Sequence, residues 1–243
     1  ASRIVDIDEG VFWERLAGHP GMARNLLRAL TERMRHNRDI ILERMKDKLA
    51  LSHLQQELQI AHKLQLSMLP DGENLFPDRT DVELRALMEP AKNVGGDFYD
   101  AFFIAPERLL VAVGDVSGKG IPAAFFMVRA ITQLRVEALR QNVPGRILEA
   151  VNRALCTGND TGMFVTLFCA VLDTSSGELQ YANAGHNPPL LLAPRGGAEF
   201  LRVSKGIIAG IVEGASYPTD SHRLRVGETL LAYTDGMTEA MNP

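Results

Sequence analysis

Three aspartates stand beside glycines where apolar segments end, and carboxylates in that setting are ligands for hard divalent cations. Asp97 follows Gly95-Gly96, Asp115 follows Gly114, and Asp235 precedes Gly236. Residues 98–104 and 109–113 fold most simply as a hairpin. With a three-residue loop at 105–107, the pairing sets Asp97 opposite Asp115. Directly opposed positions bring side chains within about 5 Å, where two carboxylates repel unless a cation neutralises them. The neighbouring glycines leave backbone open for tight turns and for ligation by carbonyls. No His or Cys lies close in sequence to Asp97 or Asp115, so oxygen-only ligation favours magnesium or manganese over zinc. Asp235, directly after the apolar run 230–233, completes a constellation of three. The same spacing is compatible with plain turn chemistry, because Asp-Gly and Gly-Asp pairs are common in turns.

Around these positions the chain reads as short strands at 82–88, 98–104, 109–113, 164–172, 179–182, Leu190–Leu192 and 229–233. Two helices are expected, an amphipathic one over 122–141, after Gly118-Lys119-Gly120, and one over 144–155 opening with Pro144. Segregated strands and helices with hairpin-length connections predict an α+β fold with antiparallel sheets.

Upstream of Pro70-Asp71-Gly72 the composition changes. Residues 1–70 carry 11 Lys+Arg against 9 Asp+Glu, whereas 71–243 carry 15 against 21. Met22, Leu26, Leu30, Met34, Ile41 and Met45 recur at helical spacing, predicting one long helix or two in tandem. From Leu51 the spacing alternates three and four through Leu54, Leu58, Ala61, Gln65 and Met68, the heptad pattern of a short coiled coil. A parallel homodimer is the natural consequence, and a helix packed on its own domain is the alternative. Eight Lys and Arg lie across 22–48 with four acids interleaved, which reads as a solvated helix face and not as a nucleic-acid site.

With 243 residues, 46% of them hydrophobic and 23% charged, the chain has the apolar mass for a real core. No apolar run approaches the ~18 residues of a membrane span, which excludes a helical membrane protein and predicts a cytoplasmic one. Cys156 and Cys169 cannot build a disulfide framework. The absence of an initiator Met and the stop just after an apolar strand and turn predict a piece of a longer protein.

Five segments follow in a familiar order: Leu64-Gln65-Leu66-Ser67-Met68-Leu69-Pro70; Asn93-Val94-Gly95-Gly96-Asp97-Phe98-Tyr99-Asp100; Gly114-Asp115-Val116-Ser117-Gly118-Lys119-Gly120-Ile121-Pro122; Tyr181-Ala182-Asn183-Ala184-Gly185-His186-Asn187-Pro188-Pro189; and Tyr233-Thr234-Asp235-Gly236-Met237-Thr238-Glu239-Ala240. Together they closely resemble the bacterial sigma-factor-regulating phosphatases of the stage II sporulation E and RsbU type, within the metal-dependent PP2C-like superfamily. The resemblance implies a sandwich of two antiparallel β-sheets flanked by helices, with two manganese or magnesium ions at one edge. It implies that Asp115 bridges both ions, that Val116 ligates through its carbonyl, that Asp235 binds one ion, and that Asp97 binds directly or through water. The implied reaction is hydrolysis of phosphoserine or phosphothreonine by a metal-activated water, with Asp97, Asp115 and Asp235 as the catalytic set. The implied substrate is a phosphorylated anti-sigma-factor antagonist of the STAS type. Beyond Thr-Asp-Gly the resemblance implies a further helix and a strand bearing an Asp-Asp pair, so the domain over 71–243 is expected to lack its C-terminal part. His186, between turn residues, is read as structural, and Lys119 as part of a solvated turn.

Arg3-Ile4-Val5-Asp6-Ile7-Asp8, Phe12, Leu16, His19-Pro20 and the Arg-bearing helix beyond resemble the end of a cyclic-nucleotide-binding domain. The organisation that follows is a sensor remnant over 1–40, implying a cyclic nucleotide at an upstream domain, a helical coiled-coil linker over 41–70, and the phosphatase domain over 71–243. A catalytically silent module that uses the same fold to hold a partner is the rival reading.

Overall fold

The computed structural model describes residues 6, 8–16, 18–71, 73–88 and 94–238, in two compact units divided between Glu57 and Leu58. Most of the Arg3–Asp8 segment, together with Asn93, Glu239 and Ala240 of the motifs, lies outside the described residues.

The first unit is helical. Asp8 caps a single turn, α1 (Glu9–Val11), by accepting from the amides of Gly10 and Val11, and a π-helical turn covers Phe12–Leu16. The helix α2 (Pro20–Leu66) is one continuous element of 47 residues, not two in tandem. Within the first unit most of its apolar side chains are exposed, Leu27, Leu30, Met34, Ile41, Met45, Leu51 and Leu54 among them. From Leu58 onward the heptad positions serve the second unit itself: Leu58, Ala61 and Met68 are half-buried and Gln65 is buried.

The second unit has three layers. A five-stranded antiparallel sheet has the order β1 (Phe98–Ala105), β2 (Arg108–Val116), β3 (Val165–Asp173), β4 (Glu178–Ala184), β7 (Asp220–Arg223). A second antiparallel sheet has the order β6 (Ala198–Phe200), β5 (Leu190–Leu192), β8 (Thr229–Leu231). Alternation along β3 explains the layering: Val165, Leu167, Cys169 and Val171 join the core under α3 (Ile121–Arg140) and α4 (Pro144–Cys156), while Phe168 and Ala170 join the core with Leu191 and Leu201. α3 contributes Ala123, Met127, Ala130, Ile131 and Leu134, all essentially inaccessible, at the spacing of one helical face. Arg129 donates to the carbonyls of Ala154 and Thr157, satisfying acceptors at the end of α4.

The hairpin register follows the sequence expectation from Phe98↔Gly114 to Phe103↔Leu109. It then shifts, Ala105 pairing with Arg108 across Pro106-Glu107, so the turn is tighter and bulged where a three-residue loop was expected. Residues 82–88 were expected as a strand and join neither sheet. Val82, Leu84, Ala86 and Met88 are half-buried and the residues between them exposed, so the period of two is present without the ladder. Sequence reading missed β6, which is exposed at every position, and β7, whose Asp-Ser-His-Arg carries no apolar alternation.

Candidate metal centre

Asp115 lies near the end of β2, opposite Thr166 of β3. Its turn is fastened to β3 on both sides, since the Ser117 amide donates to the Phe164 carbonyl at 2.9 Å and the Ser117 hydroxyl accepts from the Phe164 amide at 3.0 Å. Gly118 and Gly120 have φ of 87° and 78°, backbone that side chains rarely tolerate, and the chain then enters α3.

Asp97 lies one residue before the first pair of the β1–β2 ladder, so the expected cross-strand meeting with Asp115 is not a ladder pair. Its carboxylate instead accepts from the Thr234 hydroxyl at 2.9 Å, which ties it to the loop carrying Asp235. Gly96 passes so close to β2 that a Cβ there would stand 2.6 Å from the Val116 carbonyl oxygen. The glycine before Asp97 is what lets the loop approach that carbonyl.

Asp235 opens the single turn α5 (Asp235–Thr238), four residues beyond the end of β8, and is exposed, whereas Asp97 and Asp115 are half-buried. Between the loops sits His186, only 6% exposed. Its backbone is closed on Asn183, whose side chain accepts from the His186 amide at 2.7 Å and donates to its carbonyl at 2.9 Å. Its Nδ1 is 2.9 Å from the Thr166 hydroxyl. Burial pulls the imidazole down to about 4, opposed by the Tyr233 backbone and by the charges of Asp97 and Asp235. His186 is therefore neutral at pH 7, and its expectation as a structural residue fits a ring enclosed in this way.

A second set of contacts, absent from the sequence reading, joins the end of α2 to the same edge. The Gln65 side chain donates to the Gly95 carbonyl at 2.6 Å and accepts from the Gly95 amide at 3.2 Å, one residue from Gly96. Arg135 of α3 makes a two-point ion pair with the buried Asp100, at 2.6 and 3.0 Å, and donates to the Met68 carbonyl at 3.0 Å. The Tyr99 hydroxyl donates to the Pro70 carbonyl at 2.7 Å. The one available signal was Gln65 itself, a polar residue in a hydrophobic seam.

The donors match a hard cation in kind: carboxylates, and a backbone carbonyl that a glycine leaves accessible. Asp97 and Asp235 act on one imidazole, and Asp115 stands opposite the threonine that binds it. Among the described residues, no three His, Cys, Asp or Glu side chains come close enough to close a cation site. The three aspartates thus share one end of the sheets without forming a finished ligand set.

Comparison with known proteins places the chain in a family. The profile of the stage II sporulation protein E (SpoIIE) family matches residues 105–243. The chain is 34% identical over 215 residues to protein IcfG of Synechocystis sp., covering 77% of this chain and 33% of that protein. It is 28% identical over 239 residues to the phosphoserine phosphatase RsbU of Bacillus subtilis, covering 93% of this chain and 70% of that one. The chain thus spans a third of the length of one relative and just over two thirds of the other. Among solved structures, the SiaA-PP2C domain of Pseudomonas aeruginosa superposes with a TM-score of 0.65 at 23% identity, over 77% of this chain and 74% of that domain, which carries the fold. A profile match over residues 105–243, more than half of the chain and most of this fold, shows that the chain belongs to the stage II sporulation protein E family.

Proposed function

We propose that this chain is the output module of a bacterial signalling protein and hydrolyses phosphoserine or phosphothreonine on a protein substrate. The observation that carries the reading is the gathering of the Asp97, Asp115 and Asp235 segments about His186 and Thr166, in a member of this family. Two manganese or magnesium ions, held by Asp97, Asp115, Asp235 and the Val116 carbonyl, would supply an activated water and offset phosphoryl charge. The chain's own residues prepare that site. Thr234 orients the Asp97 carboxylate, Gly96 gives access to the Val116 carbonyl, and the neutral His186 adds no cation that would compete with a metal.

The substrate class that follows from the family resemblance is a phosphorylated STAS-type anti-sigma-factor antagonist. The relative named a phosphoserine phosphatase supports the phosphoserine chemistry. We also propose a homodimer through the helical linker over 41–70, supported by the exposed Leu51 and Leu54, and a cyclic nucleotide at the upstream domain, supported by the resemblance of 1–40. No helix among the described residues is long and apolar enough to cross a membrane, in keeping with a cytoplasmic signalling role. Movement of residues 61–70, the end of α2 and the turns that follow it, would reach the site through Gln65 and Gly95. Crosslinks that restrain this helix are expected to change activity, and unchanged activity would rule the coupling out.

The reading is tested by manganese-dependent hydrolysis of p-nitrophenyl phosphate by the full-length protein. Asp115→Asn is expected to lower the rate about 100- to 1,000-fold, by loss of charge stabilisation. Equal activity in the folded variant would assign the hydrolysis elsewhere.

A further inference from the structure

Five exposed side chains outside the proposed ligand set border the Asp115 turn: Lys119, Ile121, Phe125, Ile211 and Val212. Lys119 lies in the turn itself. Ile121 and Phe125, 49% and 72% exposed, stand one helical turn apart at the start of α3, on the side away from its buried Ala123, Met127 and Ala130. Beside them runs the turn over 209–212. Ala209 exchanges backbone hydrogen bonds of 2.9 Å with Val165, which pairs with Val116, the residue after Asp115. Two strand spacings put this turn about 10 Å from Val116. Gly210 lies against α3, where a Cβ would stand 3.2 Å from Phe126 Cζ, and the exposed Ile211 and Val212 follow it.

The outward placement of these apolar side chains is built into the fold. Asn152 of α4 is fully buried and directs its whole amide at the turn, Oδ1 accepting from the Gly210 amide at 2.8 Å and Nδ2 donating to the Val212 and Glu213 carbonyls at 2.7 and 3.2 Å. Asn159 donates to the Gly210 carbonyl at 2.9 Å. A turn pinned from beneath in this way keeps Ile211 and Val212 facing water, next to Ile121 and Phe125. Contiguous exposed apolar side chains mark contact surfaces.

Position and charge select the occupant. A phosphoserine that reaches Asp115 brings the residues on either side of it across this rim. The domain over 71–243 carries 15 Lys+Arg against 21 Asp+Glu, so a phosphate dianion meets an acidic surface, and Lys119 supplies a cation four residues from Asp115. Beyond the lysine the surface is apolar. We propose that Lys119, Ile121, Phe125, Ile211 and Val212 dock the phosphoserine segment of the protein substrate and select segments with apolar residues beside the phosphoserine. Phe125 is the anchor, because large aromatic side chains dominate such contacts. The inference rests on the phosphatase reading above and adds to it which substrates are accepted.

The test uses the full-length protein and two phosphoserine peptides, one with leucine and phenylalanine flanking the phosphoserine and one with serine in those places. The third substrate, p-nitrophenyl phosphate, is too small to span the surface. The wild-type protein is expected to favour the apolar peptide about tenfold in kcat/KM, through KM, the range for burying one large apolar side chain. Phe125→Ser is expected to lower the ratio of apolar-peptide to p-nitrophenyl phosphate kcat/KM about tenfold, and Ile211→Ser to lower it in the same direction. Lys119→Met is expected to raise KM for both peptides alike, and an unchanged KM would overturn the place of the lysine. Equal kcat/KM for the two peptides in the wild type, or a preference that survives both serine variants, would overturn the docking surface. A full-length dimer that Phe125→Ser converts to a monomer in sedimentation equilibrium would give the surface to a second copy of the chain and overturn the proposal as well. Turnover of p-nitrophenyl phosphate with neither peptide hydrolysed would overturn the docking proposal alone. A wild-type protein inert toward all three esters would overturn the phosphatase reading, and the proposal with it.

Discussion

At the scale of single residues, the site depends on glycines that allow backbone to approach backbone as much as on the carboxylates. Gly96 is the clearest case, because any side chain there meets the Val116 carbonyl, backbone against backbone, and one segment must move. Gly96→Ala is therefore expected to displace Asp97 or Val116 by a fraction of an ångström and lower kcat/KM about 100-fold, as small misplacements in a site do. Steady-state kinetics on a phosphopeptide checks it, with thermal unfolding to show that the sheets remain intact. Asp97, Asp115 and Asp235 stand out in the sequence because residue type, neighbouring glycine and strand end are all local properties. The partnership of Thr166 with His186, and of Thr234 with Asp97, was not legible. Each joins two separate segments through one hydroxyl, 20 and 137 residues apart, and neither threonine has a local pattern that marks it.

At the scale of elements, the β1–β2 hairpin, α3 and the end of α2 are bound together at Asp100. That carboxylate is 1% exposed and is ion-paired to Arg135, whose side chain keeps 43% exposure. Arg135→Ala would strand a buried charge and free the Met68 carbonyl. A cost of about 3 kcal/mol is expected, the low end for a broken buried pair because water still reaches the Arg135 side. A fall of about 6–12 °C in the thermal midpoint reads it out. Much of this scale was legible: α3, α4 and the hairpin register follow from helical spacing, prolines at helix starts, and the short turn between two apolar runs. The failures have a common physical origin. Residues 82–88 have strand periodicity and find no ladder, whereas β6 and β7 have ladders and no periodicity, because pairing is decided by neighbours that a local pattern does not contain.

At the scale of the whole molecule, the seam of α2 divides its work. Leu58, Ala61, Gln65 and Met68 are engaged in the second unit, while Leu51 and Leu54 remain 57% and 51% exposed. If the linker dimerises, those two leucines lie in the contact. Leu51→Glu with Leu54→Glu is expected to convert the full-length protein to a monomer in sedimentation equilibrium, without loss of its thermal midpoint. A dimer that persists would place the interface elsewhere. The assignment of the three aspartates as cation ligands is put to the strictest test by manganese binding to the full-length protein. Binding is expected to weaken by at least about tenfold in each of Asp97→Asn, Asp115→Asn and Asp235→Asn, most in Asp115→Asn. Manganese bound equally well by all three variants, or by none of the proteins including the wild type, would contradict it.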